Sequence, residues 1–304
     1  MREDEKSILP LHFEEIHDIL ENMLRQEATI YVRHNEVDEL NGLWRRLLIG
    51  WMYYVADFCD LQRQSVGAAA FFLDVAMSHD LVHTREEYQL AAATSLQLAL
   101  KTFDSAIIKL EKLVMLGKGS FTKGDIIRME WKILKAMKWH LHPPSTYCFL
   151  QQYERLLPCD VSSSTKDIIS QVTELVSELV VLDHKYNSYP PSVLAYAGML
   201  IGMEFVDDKQ LPEKQRDCFV MHMSKFAKQE SRSSLLLKVC EELEDTLHAS
   251  PKLGQLMQSL KTASQMVEHR SNARTKARVI PTSRQSPRHV IAPDVLVLAG
   301  TQDF

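Results

Sequence analysis

Residues able to do chemistry are plentiful in this sequence, but the spacings that chemistry needs are missing. No HExxH, GxxxxGK(S/T), GxSxG or GxGxxG occurs, so no zinc-protease helix, phosphate loop, nucleophile elbow or dinucleotide turn is encoded. Asp207-Asp208-Lys209-Gln210 offers two adjacent carboxylates. It lacks the downstream acid with which an all-helical prenyl-diphosphate enzyme would hold magnesium. His140 and His142 flank a leucine on a helix end beside Pro143 and Pro144, a poor place for a metal. Cys59 and Cys240 read as small core residues rather than nucleophiles. The reading is of a protein that is not an enzyme, with no catalytic residue, no metal and no cofactor.

What stands out is charge on otherwise apolar helical stripes. Lys101 falls on the face of Leu90, Ala93, Thr94 and Leu98, and Glu130 on that of Ile126, Met129, Ile133 and Met137. Asp74 sits in the same way beside Val66, Ala70, Leu73 and Met77. A lone charge on such a face costs several kcal/mol unless it is paired. A place at the stripe's edge would account for any one of the three. Opposite charges at Lys101 and Glu130 suggest more, a shared exit to a surface where something is gripped.

The elements that position these residues are helices. With 10 Gly and 11 Pro in 304 residues the chain is poor in turn-makers. A first amphipathic helix begins after Pro10 and carries Leu11, Phe13, Ile16, Ile19, Leu20, Met23 and Leu24. The next stripe is Trp44, Leu47, Leu48, Trp51, Val55 and Phe58, followed by a helix over Val66–Met77. Residues 88–101 are apolar or small almost all round, the mark of a helix enclosed by others. Shorter helices follow around 104–116 and 123–139, and Pro143-Pro144 stops the last of these. The same order then recurs more loosely: helices near 145–157 and 166–183, an enclosed helix after Tyr189, and helices near 212–229 and 232–248. This reads as two copies of a five-helix unit. From about 262 the periodicity fails and Ser, Arg, Thr and Pro dominate, as in disordered segments.

Charge bounds the partners. The net charge is −5, and residues 251–304 hold eight Lys/Arg against three Asp/Glu, so residues 1–250 carry −10. An acidic body argues against nucleic acid. The five cysteines are odd in number and never in CxxC, which points to reduced thiols in a reducing compartment. No window approaches about 18 uncharged apolar residues, so no membrane span is expected. The opening MREDEKSILP has no apolar stretch and does not read as a signal peptide.

Trp44-Arg45-Arg46-Leu47-Leu48-Ile49-Gly50-Trp51 resembles the opening of the cyclin box, whose pattern is Met-Arg-x-Ile-Leu-x-x-Trp. Residues 60–74 are similar to the family's second helix. Gln89-Leu90-Ala91 with Leu98-Ala99-Leu100-Lys101 resembles its central helix, and residues 121–144 its fifth helix and exit. The Arg, Asp, Leu, Lys and Glu that define the family are all present, as Arg45, Asp74, Leu90, Lys101 and Glu130. Residues 178–200 look like the corresponding stretch of A-, B- and D-type cyclins.

The resemblance implies an all-α protein of two tandem five-helix cyclin folds, with an N-terminal helix and a disordered C-terminal tail. The expected parts are 1–38, an N-terminal helix and arm; 39–143, the N-terminal cyclin box; 144–250, the C-terminal cyclin fold; and 251–304, a basic, mostly disordered tail. It implies a regulatory subunit that binds and activates a cyclin-dependent protein kinase in cell-cycle control, in nucleus and cytoplasm. Lys101 and Glu130 then grip the kinase backbone, Arg45 and Asp74 form an internal ion pair, and Leu90 is core. A substrate-docking groove for kinase substrates or inhibitors maps to Trp44, Leu48, Trp51, Tyr54 and Gln89. Here the acid expected to meet a ligand's Arg is Tyr54, with Asp57 one turn on as the alternative acid. Val75 stands where many cyclins have Arg. The competing reading is a cyclin-fold adaptor that binds a kinase or other protein without activating it.

Overall fold

The structure, a computed structural model, describes residues 11–31, 39–104 and 108–260. The helices are α1 (Leu11–Thr29), α2 (Glu39–Phe58), α3 (Ser65–Ser78), α4 (Arg85–Phe103), α5 (Leu110–Leu116), α6 (Lys123–Ala136), α7 (Thr146–Glu154), α8 (Ser163–Leu182), α9 (Pro191–Glu204), α10 (Glu213–Phe226) and α11 (Ser234–His248). A 3-10 turn, His184–Ser188, joins α8 to α9. No strand occurs among the described residues. These elements belong to one compact unit ending at Ala249, and a second begins at Ser250. In that second unit residues 251–260 are helical, whereas the sequence suggested a mostly disordered tail from 251. The loss of periodicity read from 262 onwards falls outside the described residues.

Local chemistry sets where the helices start. Thr84 accepts from the Glu87 N–H while the Glu87 carboxylate accepts from the Thr84 N–H, and Thr122 with Asp125 repeats this capping box. Ser145, Ser162 and Ser233 cap α7, α8 and α11 through their hydroxyls. Each repeat is built round one enclosed helix. Residues Ala91–Leu100 of α4 are all buried, packed among α2, α3 and α6. In α9 nearly every residue from Pro191 to Met203 is buried, packed among α7, α8 and α11. Small residues permit this approach. A Cβ on Gly202 would lie 3.1 Å from Thr173 Cγ2 and 3.3 Å from the Ile169 carbonyl oxygen, so α8 meets α9 there with no room for a side chain.

Three expectations need correction. Helix α6 ends at Ala136, not at the prolines. Lys138 and Trp139 turn left-handed, at φ 50° and 65°, and the Trp139 N–H donates back to the Leu134 carbonyl at 3.1 Å. That closes the helix seven residues before Pro143. On α2, Leu47 and Phe58 are 44% and 61% exposed, and the buried face is Arg45, Ile49, Met52 and Ala56 with Leu48 and Val55. A helix apolar on most sides has no phase that periodicity alone can fix. Leu90 is half-buried at the edge of the core. It lies in the first, less enclosed turns of α4 and lines a cavity of about 330 Å³ with Phe121 and Met129.

Helix α1 packs against the second repeat. Phe13 stacks on Phe226 at 5.2 Å, and His17 Nδ1 lies 2.9 Å from the Phe226 carbonyl oxygen. Glu27 accepts from the Ser192 N–H at 2.8 Å and from its hydroxyl at 2.7 Å. The carboxylate thereby serves the start of α9, where Pro190 offers no capping side chain.

Candidate functional site

Lys101 stands in the last turn of α4 and Glu130 in α6, helices that pack together along the core. The Lys101 ammonium donates to both Glu130 oxygens, at 2.7 and 2.9 Å. Lys101 is 40% exposed and Glu130 17%, so the pair sits at the mouth of the core and not within it. Next to Glu130, Trp131 meets Trp139 edge-on at 5.7 Å, and both rings are exposed, as is Ile127. Lys135 lies 5.1 Å from the Trp131 ring centroid. The charges are thus set in an apolar surface able to exclude water from a contact.

Arg45 and Asp74 are also brought together, deeper down. Arg45 is 1% exposed and Asp74 17%. The guanidinium donates from Nε and Nη2 to the two Asp74 oxygens at 2.5 and 2.9 Å. It reaches further than the sequence suggested, to the Val181 carbonyl at 2.9 Å and the Asn187 side chain at 3.4 Å. Asn187 returns a bond to Asp74 at 3.1 Å. This cluster joins α2 and α3 to the end of α8 and the 3-10 turn, and so ties the first repeat to the second.

A second tie runs alongside. Arg63 donates to Glu178 at 2.6 and 2.7 Å and to Asp57 at 2.5 and 2.6 Å, with its guanidinium 4.7 Å from the Tyr53 ring centroid. The hydrogen bonds that Glu178 accepts, above all, hold Arg63 firmly charged, and burial drives the Tyr53 phenol far above its usual range. Asp57, the alternative acid for the docking groove, is therefore already engaged.

The remaining groove residues lie on or beside α2. Trp44, Trp51, Tyr54 and Gln89 are half-buried, and Leu48 is buried. His140 and His142 are exposed, and no group of three metal-binding side chains occurs among the described residues. Burial pushes the Cys240 thiol up to about 11, the wrong direction for a nucleophile. No described helix is long and apolar enough to cross a membrane.

This architecture has known relatives. The family described as cyclin, N-terminal domain, matches residues 18–142, and cyclin, C-terminal domain, matches residues 144–276. The chain belongs to the cyclin family. The G2/mitotic-specific cyclin-A of Drosophila melanogaster is 28% identical over 198 residues, covering 62% of this chain and 38% of that protein. The G2/mitotic-specific cyclin-B of Patella vulgata is 26% identical over 219 residues, covering 71% and 50%. The chain therefore spans half or less of the length of these relatives. A viral cyclin from herpesvirus saimiri superposes with a TM-score of 0.57 at 16% identity, over 76% of this chain and 97% of that one, which shows the fold. In this cyclin the two enclosed helices, α4 and α9, are the centres of the two repeats.

Sequence reasoning missed Val181, Asn187, Arg63, Glu178 and Glu27. Asn187 and Glu27 sit among polar neighbours where nothing local marks them. For Arg63 a signal existed, a cation between two apolar helices in Leu61-Gln62-Arg63-Gln64.

Proposed function

We propose that this cyclin is a regulatory subunit that binds and activates a cyclin-dependent protein kinase in cell-cycle control, acting in nucleus and cytoplasm and contributing no catalytic residue. The observation that carries the reading is the Lys101–Glu130 pair, one cation and one anion held side by side at the edge of an exposed apolar surface. Such a pair addresses backbone: an ammonium donates to carbonyl oxygens, and a carboxylate accepts from amides. A grip on backbone is nearly indifferent to the partner's side chains. Activation then works by preference. The cyclin binds the kinase arrangement in which the C-helix glutamate meets the catalytic lysine. Moving that equilibrium from 1:99 to 99:1 takes about 5.5 kcal/mol of differential affinity. The Arg45 cluster keeps the two repeats in one register while that surface is used. The α2 face that carries Trp44, Trp51 and Tyr54, with Gln89 on α4, is the candidate dock for substrates or inhibitors.

The test is a phosphotransfer assay on kinase captured with the chain, identified by mass spectrometry of the same sample. Captured kinase with raised activity supports the reading. Captured kinase without activation would leave the adaptor role instead, and absence of any kinase would refute the kinase-activating reading and leave only an adaptor for another protein.

A further inference from the structure

Two cavities adjoin along one face of α8, apart from Lys101, Glu130 and the outward face of α2. One, of about 350 Å³, is walled by Tyr147, Gln151, Glu154, Arg155, Ser170 and Glu174. The other, of about 280 Å³, lies where the repeats meet. It runs from Arg63 and Gln64 on the first to Ser177 and Glu178 on the second, again with Tyr147 and Glu174. Tyr147 and Glu174 therefore stand on the ridge between the two. Ligand sites span about 300–1,000 Å³, so each cavity is sized for one side chain and not for a cofactor.

The walls carry more negative charge than they balance. Their two cations are already engaged, Arg63 with Glu178 and Asp57 and Arg155 with Gln152 and Glu15. Glu154 receives the hydroxyls of Thr173, at 3.4 Å, and of Ser170. Neither Glu154 nor Glu174 takes part in an ion pair among the described residues. Burial raises both carboxyls above their ordinary value, and like charge adds to it, that of Glu174 on Glu154 and that of Glu178 on Glu174. Carboxylates facing a cavity in this state gain from an incoming cation. The half-buried Tyr147 between them adds an aromatic wall of the kind that cations also favour.

We propose that the paired cavities bind a short extended peptide segment with basic side chains on one side, their cationic heads meeting Glu154 and Glu174. From Ser170 to Val181, the stretch of α8 that lines the two cavities, the helix rises about 16 Å, the reach of five extended residues. The glutamines favour a peptide over a free amine. Gln62 and Gln151 are exposed and Gln64 is half-buried at these walls, and an amide side chain has the donor and acceptor that a peptide bond matches. The site is separate from the kinase grip and from the α2 face.

The probes are two fluorescein-labelled nonapeptides, one alternating Arg with Ala and one alternating Glu with Ala, titrated by anisotropy against the full chain. The Arg peptide is expected to bind, more weakly as salt rises, and the Glu peptide not to bind. Glu154→Gln with Glu174→Gln keeps the shape of the walls and removes two charges. It should weaken the Arg peptide about tenfold or more without changing the helical circular dichroism, and Glu174→Arg alone should do the same. Because residues 1–250 are acidic as a whole, the control takes two charges from elsewhere. Glu241→Gln with Asp245→Asn, both exposed on α11, should leave the affinity nearly unchanged. Equal weakening by the two pairs of substitutions overturns the proposal, as does failure of the Arg peptide to bind. Spermidine should compete poorly; displacement of the peptide by an equal concentration of it would assign the cavities to free amines instead. Lys101→Glu should lose the kinase and keep the peptide.

Discussion

Replacing Arg45 by Met tests whether the buried cluster ties the two repeats together. The substitution keeps an unbranched stem of similar reach and removes every donor. Four contacts disappear: two to Asp74, one to the Val181 carbonyl and one to Asn187. Breaking one partner of a buried pair costs about 3–5 kcal/mol. Asp74 is partly exposed and keeps its bond from Asn187, which places the expected loss at the lower end, about 3 kcal/mol on that scale. Against a total stability of about 5–15 kcal/mol this is a large fraction. Asp74→Leu should be worse, because it strands a guanidinium that is 1% exposed. The double variant, with both charges gone, should then cost at least about 1 kcal/mol less than the sum of the singles. Urea unfolding followed by circular dichroism reads all three values. A loss under about 1 kcal/mol for Arg45→Met, or a double variant equal to the sum, would refute the claim that the pair is desolvated and coupled.

Lys101→Glu places a second carboxylate opposite Glu130; kinase capture should fall by about 30-fold or more, while the half-exposed position limits the change in stability to about 1 kcal/mol, read by pull-down and thermal melting. Glu27→Ala removes the acceptor at the start of α9 and should cost about 1–2 kcal/mol, with earlier proteolytic release of α1. Burial, its largest cause, raises the Glu154 carboxyl above its ordinary 4.5; the folded chain then binds more protons than the unfolded one between those two values, so stability falls as pH rises through that window. Glu154→Gln removes the titration, and its urea midpoint relative to the parent should be higher at neutral pH than at pH near 4; an unchanged difference would count against a desolvated carboxyl.

Much of this was legible in the sequence because it is written in local rules. Helices α4 and α9 announce themselves as enclosed by being small or apolar on every side. Lys101, Glu130 and Asp74 stand out because a charge on an apolar face must have a partner, whereas Arg45 is marked by the resemblance to the cyclin box. The rule says that a partner exists and is silent about which. Arg45 meets Val181 and Asn187, 136 and 142 positions away; the first offers only a backbone oxygen, the second sits in a polar turn where an asparagine draws no notice. The end of α6 was hidden for a different reason. Lys138 and Trp139 adopt positive φ without the Gly or Asn that usually reveals it, so the visible prolines took the credit. Helix α2 shows the same limit from the other side. Its apolar residues outnumber what one buried face can hold, so the surplus must face outward. Exposed Leu43, Leu47 and Phe58 are that surplus, and a helix keeps bulky side chains in water at a cost in solubility that an occupant on this face would offset.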